Sequence, residues 1–381
     1  MSHVTFLLVV VIVTALVFDF TNGFHDTANA MATSIATGAL PPRVAVLLSA
    51  VLNVVGAFLS TAVAKTISGG IVNDGLITLG MIFAGLVGAI LWNLLTWLLG
   101  LPSSSSHALI GGLVGAVCVG AGLKAVNFEE VLERIVIPGF AAPVVAGTAA
   151  LLATLLVYRL SGRAAEESVT RGFRFGQIGS ASLVSLAHGT NDAQKTMGVI
   201  TLSLISVDAL PSGAGPPVWV VLTAGLAIGL GTYLGGWRII RTLGRGLTDI
   251  RSPQGFAAET ASATVILTSA HLGFALSTTQ VCSGSIIGAG LGRRRAKVRW
   301  NTAGRMAVAW LITLPAAGLI GGGASAVVVH GGTAGTVAVA AAAVAAAAVI
   351  YVLSRRSPVT ADNVNDAPTV TVNPQPAAAG S

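Results

Sequence analysis

The sequence predicts an all-α integral membrane protein made of two inverted repeats, with two broken helices and two hydroxyl-rich helical hairpins or half-helices. Three observations carry that prediction. Of 381 residues, 54% are hydrophobic and only 9% charged, where a soluble domain carries roughly 25% charged residues. Apolar stretches long enough to cross about 30 Å of hydrocarbon recur along the chain, which favours spanning helices over a barrel of short alternating strands. Two polar motifs also occur twice in the same order, and the distribution of Arg and Lys places the copies in opposite orientations. The 47 glycines fit helices that pack closely or break.

The net charge of +7 reads as cytoplasmic loops, with no nucleic-acid partner implied. Basic residues concentrate in 158–175, 236–252, 292–305 and at Arg355 and Arg356, which the positive-inside rule assigns to the cytoplasm. The stretches 124–134, 207–217 and 328–335 then lie outside. Counting crossings, 4–18 with 27–40 makes one span interrupted at NGFHD (22–26), running inward. The pair 176–187 with 193–206 makes one span interrupted at HGTND (188–192), running outward. Segments 76–99 with 103–123 begin and end outside, and 255–274 with 277–291 begin and end inside. The expected organisation is a first repeat over 1–157, a short cytoplasmic linker over 158–175, a second repeat with terminal spans over 176–353, and a disordered cytoplasmic tail over 354–381 that is polar and Pro-rich. The N-terminus is expected outside and the C-terminus in the cytoplasm of a plasma-membrane protein. The first apolar run has neither a basic leader nor a cleavage site, so it reads as a retained span. Cys118 and Cys282 lie in apolar segments and fit no disulfide or metal spacing, which reads as buried and reduced.

NGFHDTANAM (22–31) matches HGTNDAQKTM (188–197) at constant offset, pairing Gly23 with Gly189, Asp26 with Asp192 and Met31 with Met197. LPSSSSHALIGGLVGAV (101–117) matches FALSTTQVCSGSIIGAG (274–290), setting Ser104, Ser105, Ser106 and His107 against Ser277, Thr278, Thr279 and Gln280. Paired motifs with opposite orientation are a feature of inverted-repeat secondary transporters.

An ionisable residue at mid-membrane costs a few kcal/mol, so Asp26 and Asp192 are expected to face a cavity and to have a role there. Helix capping by each Asp is the plainer alternative. The hydroxyl runs open glycine-rich helices, so each offers hydroxyl donors and first-turn N–H groups to an anion. Inverted symmetry would bring both N-termini to the midplane to clasp one tetrahedral oxyanion. Two carboxylates beside an anion repel it unless a cation intervenes. Coupling therefore follows: Asp26 and Asp192 take up H⁺ or Na⁺, and only the loaded site holds the anion. Asn22, Asn29, Asn191 and Gln194 could complete a cation's oxygen shell. Glu259 is a further membrane carboxylate with a relay, cation or packing role. Lys195 reads as the neutraliser of Asp192. His25, His107, His188 and His271 fall in or beside the motifs, with proton transfer, metal contact or structural bonding open for each.

These motifs together resemble the PiT inorganic phosphate transporter family, in particular its bacterial low-affinity permeases, over about residues 4–353. The resemblance implies a symporter of inorganic phosphate driven by H⁺ or Na⁺, often homodimeric, with some bacterial members accepting a neutral metal–phosphate complex. It implies no enzymatic activity, and no cofactor beyond the coupling ion. The family's common form is GAND in both halves. Here the halves read GFHD and GTND, so His25 stands where the first Asn would be. That tilts the reading from Na⁺ towards H⁺. A sulfate permease of the same superfamily is the nearest rival. A divalent-metal transporter is less well matched by hydroxyl runs. An intramembrane hydrolase lacks a G-x-S-x-G elbow and a single activated serine.

Overall fold

A computed structural model describes residues 3–72, 75–294 and 296–366. Among them there is no strand, only two isolated bridges, Val72 with Val126 and Thr248 with Val298. The helices are α1 (His3–Ala36), α2 (Pro42–Gly56), α3 (Ala62–Gly69), α4 (Leu79–Leu98), α5 (Ser105–Gly120), α6 (Phe128–Val131), α7 (Ile137–Ser161), α8 (Glu166–Ile205), α9 (Val218–Leu234), α10 (Trp237–Arg241), α11 (Ser252–His271), α12 (Thr278–Leu291) and α13 (Trp300–Ser354). Four stretches are long and apolar enough to cross a membrane: Val4–Ala36, Leu79–Leu98, Phe128–Ser161 and Trp300–Ser354. A fifth forms if Val218–Leu234 and Trp237–Gly246, bent by 62°, count as one span. The chain is therefore an all-α membrane protein.

The two expected helix breaks are absent. α1 runs unbroken through 22–26, and α8 through 188–192. Most polar side chains of these stretches find partners with the helices closed. Thr27 Oγ1 donates to Gly23 O at 2.6 Å and Thr190 Oγ1 to Leu186 O at 2.7 Å, along their own helices. The motif glycines serve contact instead: a Cβ at Gly23 would collide with the Ile228 carbonyl of α9, and one at Gly189 with the Asn53 carbonyl of α2. Asp26 and Asp192 thus sit in helix interiors, which removes the capping alternative.

The hydroxyl motifs do form helical hairpins. α4 and α5 flank one tip, α11 and α12 the other, and the two tips are built alike. Ser104 Oγ caps α5 by accepting from His107 N at 3.1 Å, and Ser277 Oγ caps α12 by accepting from Gln280 N at 3.3 Å. The last long helix of each half crosses over. α7 packs on α11 and α12, α13 on α4 and α5. Gly284 and Gly288 of α12 meet Pro143 and Gly147 of α7 backbone to backbone, as Gly111 and Gly115 of α5 meet Leu314 and Gly318 of α13. Such small-residue contacts let helices approach closely where lipid supplies no hydrophobic drive. Within α13, Gly332 leaves the helical region at φ 53° and ψ −130°, so two helices meet there. That turn falls inside the outer loop expected at 328–335.

Two boundaries differ from expectation. The linker expected over 158–175 is mostly helical, with only 162–165 between α7 and α8. The tail, expected to be disordered from residue 354, is ordered through Asp366, and the rest of it lies outside the described residues. Val364 is buried in an apolar cluster with Ile35, Leu40 and Ile239. Arg241 Nη2 donates to Asn363 O at 2.6 Å, Asn365 Nδ2 to Ile35 O at 3.4 Å, and Arg43 pairs with Asp362 at 3.1 Å. A polar composition hides one apolar anchor and the arginines waiting for it. Arg251 with Glu166 and Arg299 with Asp249 join these groups at the same, basic end. α1 reaches that end at Ala36.

α1 also links two apolar cores. Val11, Ala15 and Phe18 belong to one, and Ala28, Met31 and Ile35 to the other. The polar stretch 19–27 crosses between them.

Candidate functional site

Asp26 of α1 and Asp192 of α8 meet at that crossing, 1% and 0% exposed. With His188 they bring one ligand atom each to within 4.8 Å of one another. Asp26 Oδ2 accepts from Ser105 Oγ of the first hairpin at 2.7 Å, and Oδ1 from Thr279 Oγ1 of the second at 3.2 Å. Its Oδ1 also lies 2.6 Å from His25 Nδ1. His25 Nε2 faces the hydroxyls of Thr96 at 3.2 Å and Ser103 at 3.4 Å. Both hairpin tips therefore close on one carboxylate.

Asp192 is held differently. Its Oδ1 accepts from Lys195 Nζ at 2.6 Å and from Asn191 Nδ2 at 2.8 Å. Its Oδ2 accepts from Asn22 Nδ2 at 3.3 Å and Thr278 Oγ1 at 3.4 Å, and His188 Nε2 stands 3.4 Å away. Asn53 fixes His188: its Nδ2 donates to Thr232 Oγ1 at 2.8 Å, leaving its Oδ1 3.1 Å from His188 Nδ1. Nε2 is thus the nitrogen turned to the site.

The remaining expected residues sort by distance from this centre. Asn29 Nδ2 donates to Thr278 Oγ1 at 3.2 Å and Thr279 Oγ1 at 3.0 Å, so it belongs to the site. Ser106 Oγ donates to Leu276 O at 3.0 Å, tying the two tips together, and Asn191 Nδ2 of α8 donates to the same oxygen at 3.0 Å. Ser104 and Ser277 cap their helices, each oxygen accepting from a first-turn N–H. Gln194 does not join a cation shell. Its Oε1 accepts from Val63 N at 2.8 Å and Ala64 N at 3.3 Å, capping α3, because α3 begins beside it with unpaired first-turn N–H groups.

Glu259 is buried in a pocket of its own. Thr33 and Ser34 hydroxyls of α1 donate to its Oε1 at 2.6 Å each, Gln177 Nε2 at 3.2 Å, and Ser180 Oγ to its Oε2 at 2.5 Å. Thr33 follows Asp26 by seven residues, about 10 Å along the helix, so Glu259 lies nearer the basic end. His107 turns from the carboxylates to Gly139 of α7, beside Gln280. His271 is exposed and near its own Leu267 carbonyl at 2.8 Å.

The centre combines acceptors and donors in a way that suits a cation and an anion together. Asn22 Oδ1, Asn29 Oδ1 and Asn191 Oδ1 are buried carbonyl oxygens without a partner. The first-turn N–H groups of α5 and α12, at Ser105, Ser106, Thr278 and Thr279, have no partner within their helices. Asn53, Thr96, Ser103 and Asp19 were not singled out from the sequence. Asn53, Thr96 and Asp19 are each one polar residue in an apolar run, whereas Ser103 opens the serine run but precedes the three serines matched to the second half; only for Asp19 does the cost of mid-membrane charge give a signal.

Comparison with known proteins agrees. The model of the PHO4 phosphate transporter family matches residues 22–321. A "probable low-affinity inorganic phosphate transporter" of Mycobacterium tuberculosis strain H37Rv is 59% identical over 362 residues, covering 94% of this chain and 87% of the relative. One of the same description from Bacillus subtilis is 42% identical over 326 residues, 84% of this chain and 97% of the relative. A solved structure entitled "The sodium-dependent phosphate transporter" superposes with a TM-score of 0.76 at 22% identity, covering 84% of this chain and 98% of that one, and so shares the fold. The chain belongs to the PHO4 phosphate transporter family.

Proposed function

We propose that this phosphate transporter imports inorganic phosphate across the plasma membrane by cation symport, with H⁺ preferred over Na⁺ and Asp26 with His25 as the coupling pair. One observation carries the choice of coupling group: Asp192 is bonded to a fixed cation, Lys195, whereas the groups bonded to Asp26 among the described residues are the hydroxyls of Ser105 and Thr279 and the ring of His25. An ionised Asp26 repels an entering phosphate strongly in a buried site. A proton shared by Asp26 and His25 removes that repulsion. Ser105 and Thr279, which donate to the ionised carboxylate, are then free to turn to phosphate oxygens, joined by the first-turn N–H groups of α5 and α12. Asp192 remains ionised beside Lys195 and accepts the phosphate's own O–H, which sulfate lacks. The basic end faces the cytoplasm, as the positive-inside rule requires.

A second reading has its own support. The three unpartnered Asn oxygens suit a cation that keeps an oxygen shell. The convergence of Asp26, His188 and Asp192 suits a divalent ion travelling with phosphate as a neutral complex. Labelled phosphate uptake into proteoliposomes separates these, with pH and Na⁺ gradients imposed in turn, Mg²⁺ present or absent, and sulfate as competitor. Uptake driven by the pH gradient alone is expected. Dependence on Na⁺ alone overturns the proton preference, and indifference to both overturns symport.

A further inference from the structure

We infer that Asp19 is a second proton-binding site of the transport cycle, placed on the side of the phosphate site away from the basic end. The inference rests on the coupled-transport reading above. Asp19 is 0% exposed, and among the described residues neither of its carboxylate oxygens finds a hydrogen-bond partner. The other buried carboxylates described here, Asp26, Asp192 and Glu259, each accept at least two bonds. A buried carboxylate that collects no donor is strongly disfavoured as an anion, so it holds a cation or a proton.

The surroundings select the proton. Among the described residues, the side-chain hydroxyl that acts on Asp19 is that of Thr196 on α8, whose Oγ1 has no hydrogen-bond partner of its own. One hydroxyl is far short of the oxygen shell of Na⁺, whereas a proton needs none and leaves an O–H that Thr196 can accept. The charged groups that act on Asp19 are Asp192 and Lys195, both on α8. α4 carries no Asp, Glu, Lys, Arg or His, α9 carries Tyr233 as its one ionisable side chain, and α2 carries only Arg43 at the basic end.

Position supplies the role. Asp19 precedes Asp26 by seven residues, two turns along the same face of α1 and about 10 Å from it. Lys195 Nζ is bonded to Asp192 and feels Asp19 as well. An ionised Asp19 attracts Lys195 in competition with Asp192. Once Asp19 takes a proton arriving from its own end, Lys195 is left wholly to Asp192, and the phosphate site behind is set. The repeat does not require an acid here. Asp26 and Asp192 stand 166 residues apart, and the residue 166 after Asp19 is Ser185, which donates to its own Ala181 carbonyl.

The test is phosphate uptake and phosphate-coupled proton influx in proteoliposomes across a range of external pH at fixed Na⁺, for the wild type, Asp19→Asn and Asp19→Glu. Expected is a weaker pH dependence and a lower proton-to-phosphate ratio in Asp19→Asn, with phosphate exchange retained and the glutamate variant restoring both. An Asp19→Asn protein that keeps the wild-type pH profile and ratio overturns the inference. Wild-type uptake that is robust but indifferent to pH overturns it too, while leaving the carrier reading intact. Wild-type protein that moves no phosphate overturns both. If Asp19→Asn does not fold, Thr196→Val keeps the carboxyl and removes its nearest hydroxyl. The pH midpoint of uptake must then move, and an unchanged midpoint overturns the site.

Discussion

Asp26 and Asp192 occupy matching positions on α1 and α8, and so do the residues around them. Asn22, His25, Asp26 and Asn29 stand where His188, Asn191, Asp192 and Lys195 stand in the second half. His and Asn exchange places between the copies, but the Asn29 and Lys195 pair changes charge. The first half spends that position on Asn29, which holds Thr278 and Thr279 across the site. The second half spends it on Lys195, bonded to its own Asp192. The matched positions thus carry a division of labour: a standing Lys195 ion pair at Asp192, and His25 with hydroxyls in its place at Asp26.

That comparison breaks first at the carboxylates. Asp26→Asn should fold with near wild-type thermal stability, since no fixed cation loses its partner, and should abolish coupled phosphate uptake. Asp192→Asn leaves Lys195 charged and buried, which costs about 3–5 kcal/mol. It should lower the melting temperature in detergent steeply, and Asp192→Asn with Lys195→Met should recover much of the loss in fold but not in transport. Equal stability of the two single variants would refute the division of labour.

His25 sharpens the same contrast. His25→Asn makes the first half repeat the Asn-Asp order of Asn191-Asp192 and removes the nitrogen 2.6 Å from Asp26. Uptake should respond less to a pH gradient, through Asp19 alone, and gain a response to Na⁺. A variant whose response to pH is unchanged would take the coupling proton away from His25 and Asp26. Gly23→Ala and Gly189→Ala, by contrast, should behave alike. Each forces a Cβ into a facing carbonyl, in α9 and α2 respectively, and overpacking of this kind costs about 1–3 kcal/mol. Thermal unfolding of the pair tests whether the frame is as symmetric as it looks.

The frame was legible because its evidence is repetition: paired Asp, paired hydroxyl runs and paired glycines can be read without contacts. The continuity of α1 and α8 was not. A polar cluster in a span implies a break only if nothing else satisfies it, and here the partners come from 79 residues away at Ser105 and 253 at Thr279. Gln194 misleads for the same reason, as its carbonyl belongs to α3, 131 residues back. Asp19 carries no motif and has no acidic counterpart in the second half, so the reasoning that found Asp26 passed over it. Val364 is one of a few scattered valines in a polar tail, and the apolar cluster it joins includes residues as distant in sequence as Ile35 and Ile239.

The smallest expected effects lie where the halves are most alike. Ser104 and Ser277 cap α5 and α12 through the same bond to the third helical N–H, at 3.1 and 3.3 Å. Replacing an N-cap serine by alanine costs about 1 kcal/mol, so Ser104→Ala and Ser277→Ala should lower the melting temperature modestly and equally. Transport should discriminate further. Both tips close on Asp26, through Ser105 and Thr279, and only the second tip also reaches Asp192, through Thr278. Loosening α12 therefore disturbs both carboxylates, while loosening α5 disturbs one. The apparent KM for phosphate should rise more in Ser277→Ala than in Ser104→Ala at equal stability. An equal rise in both would mean that the hairpins serve the anion symmetrically even though the carboxylates do not serve the cation so.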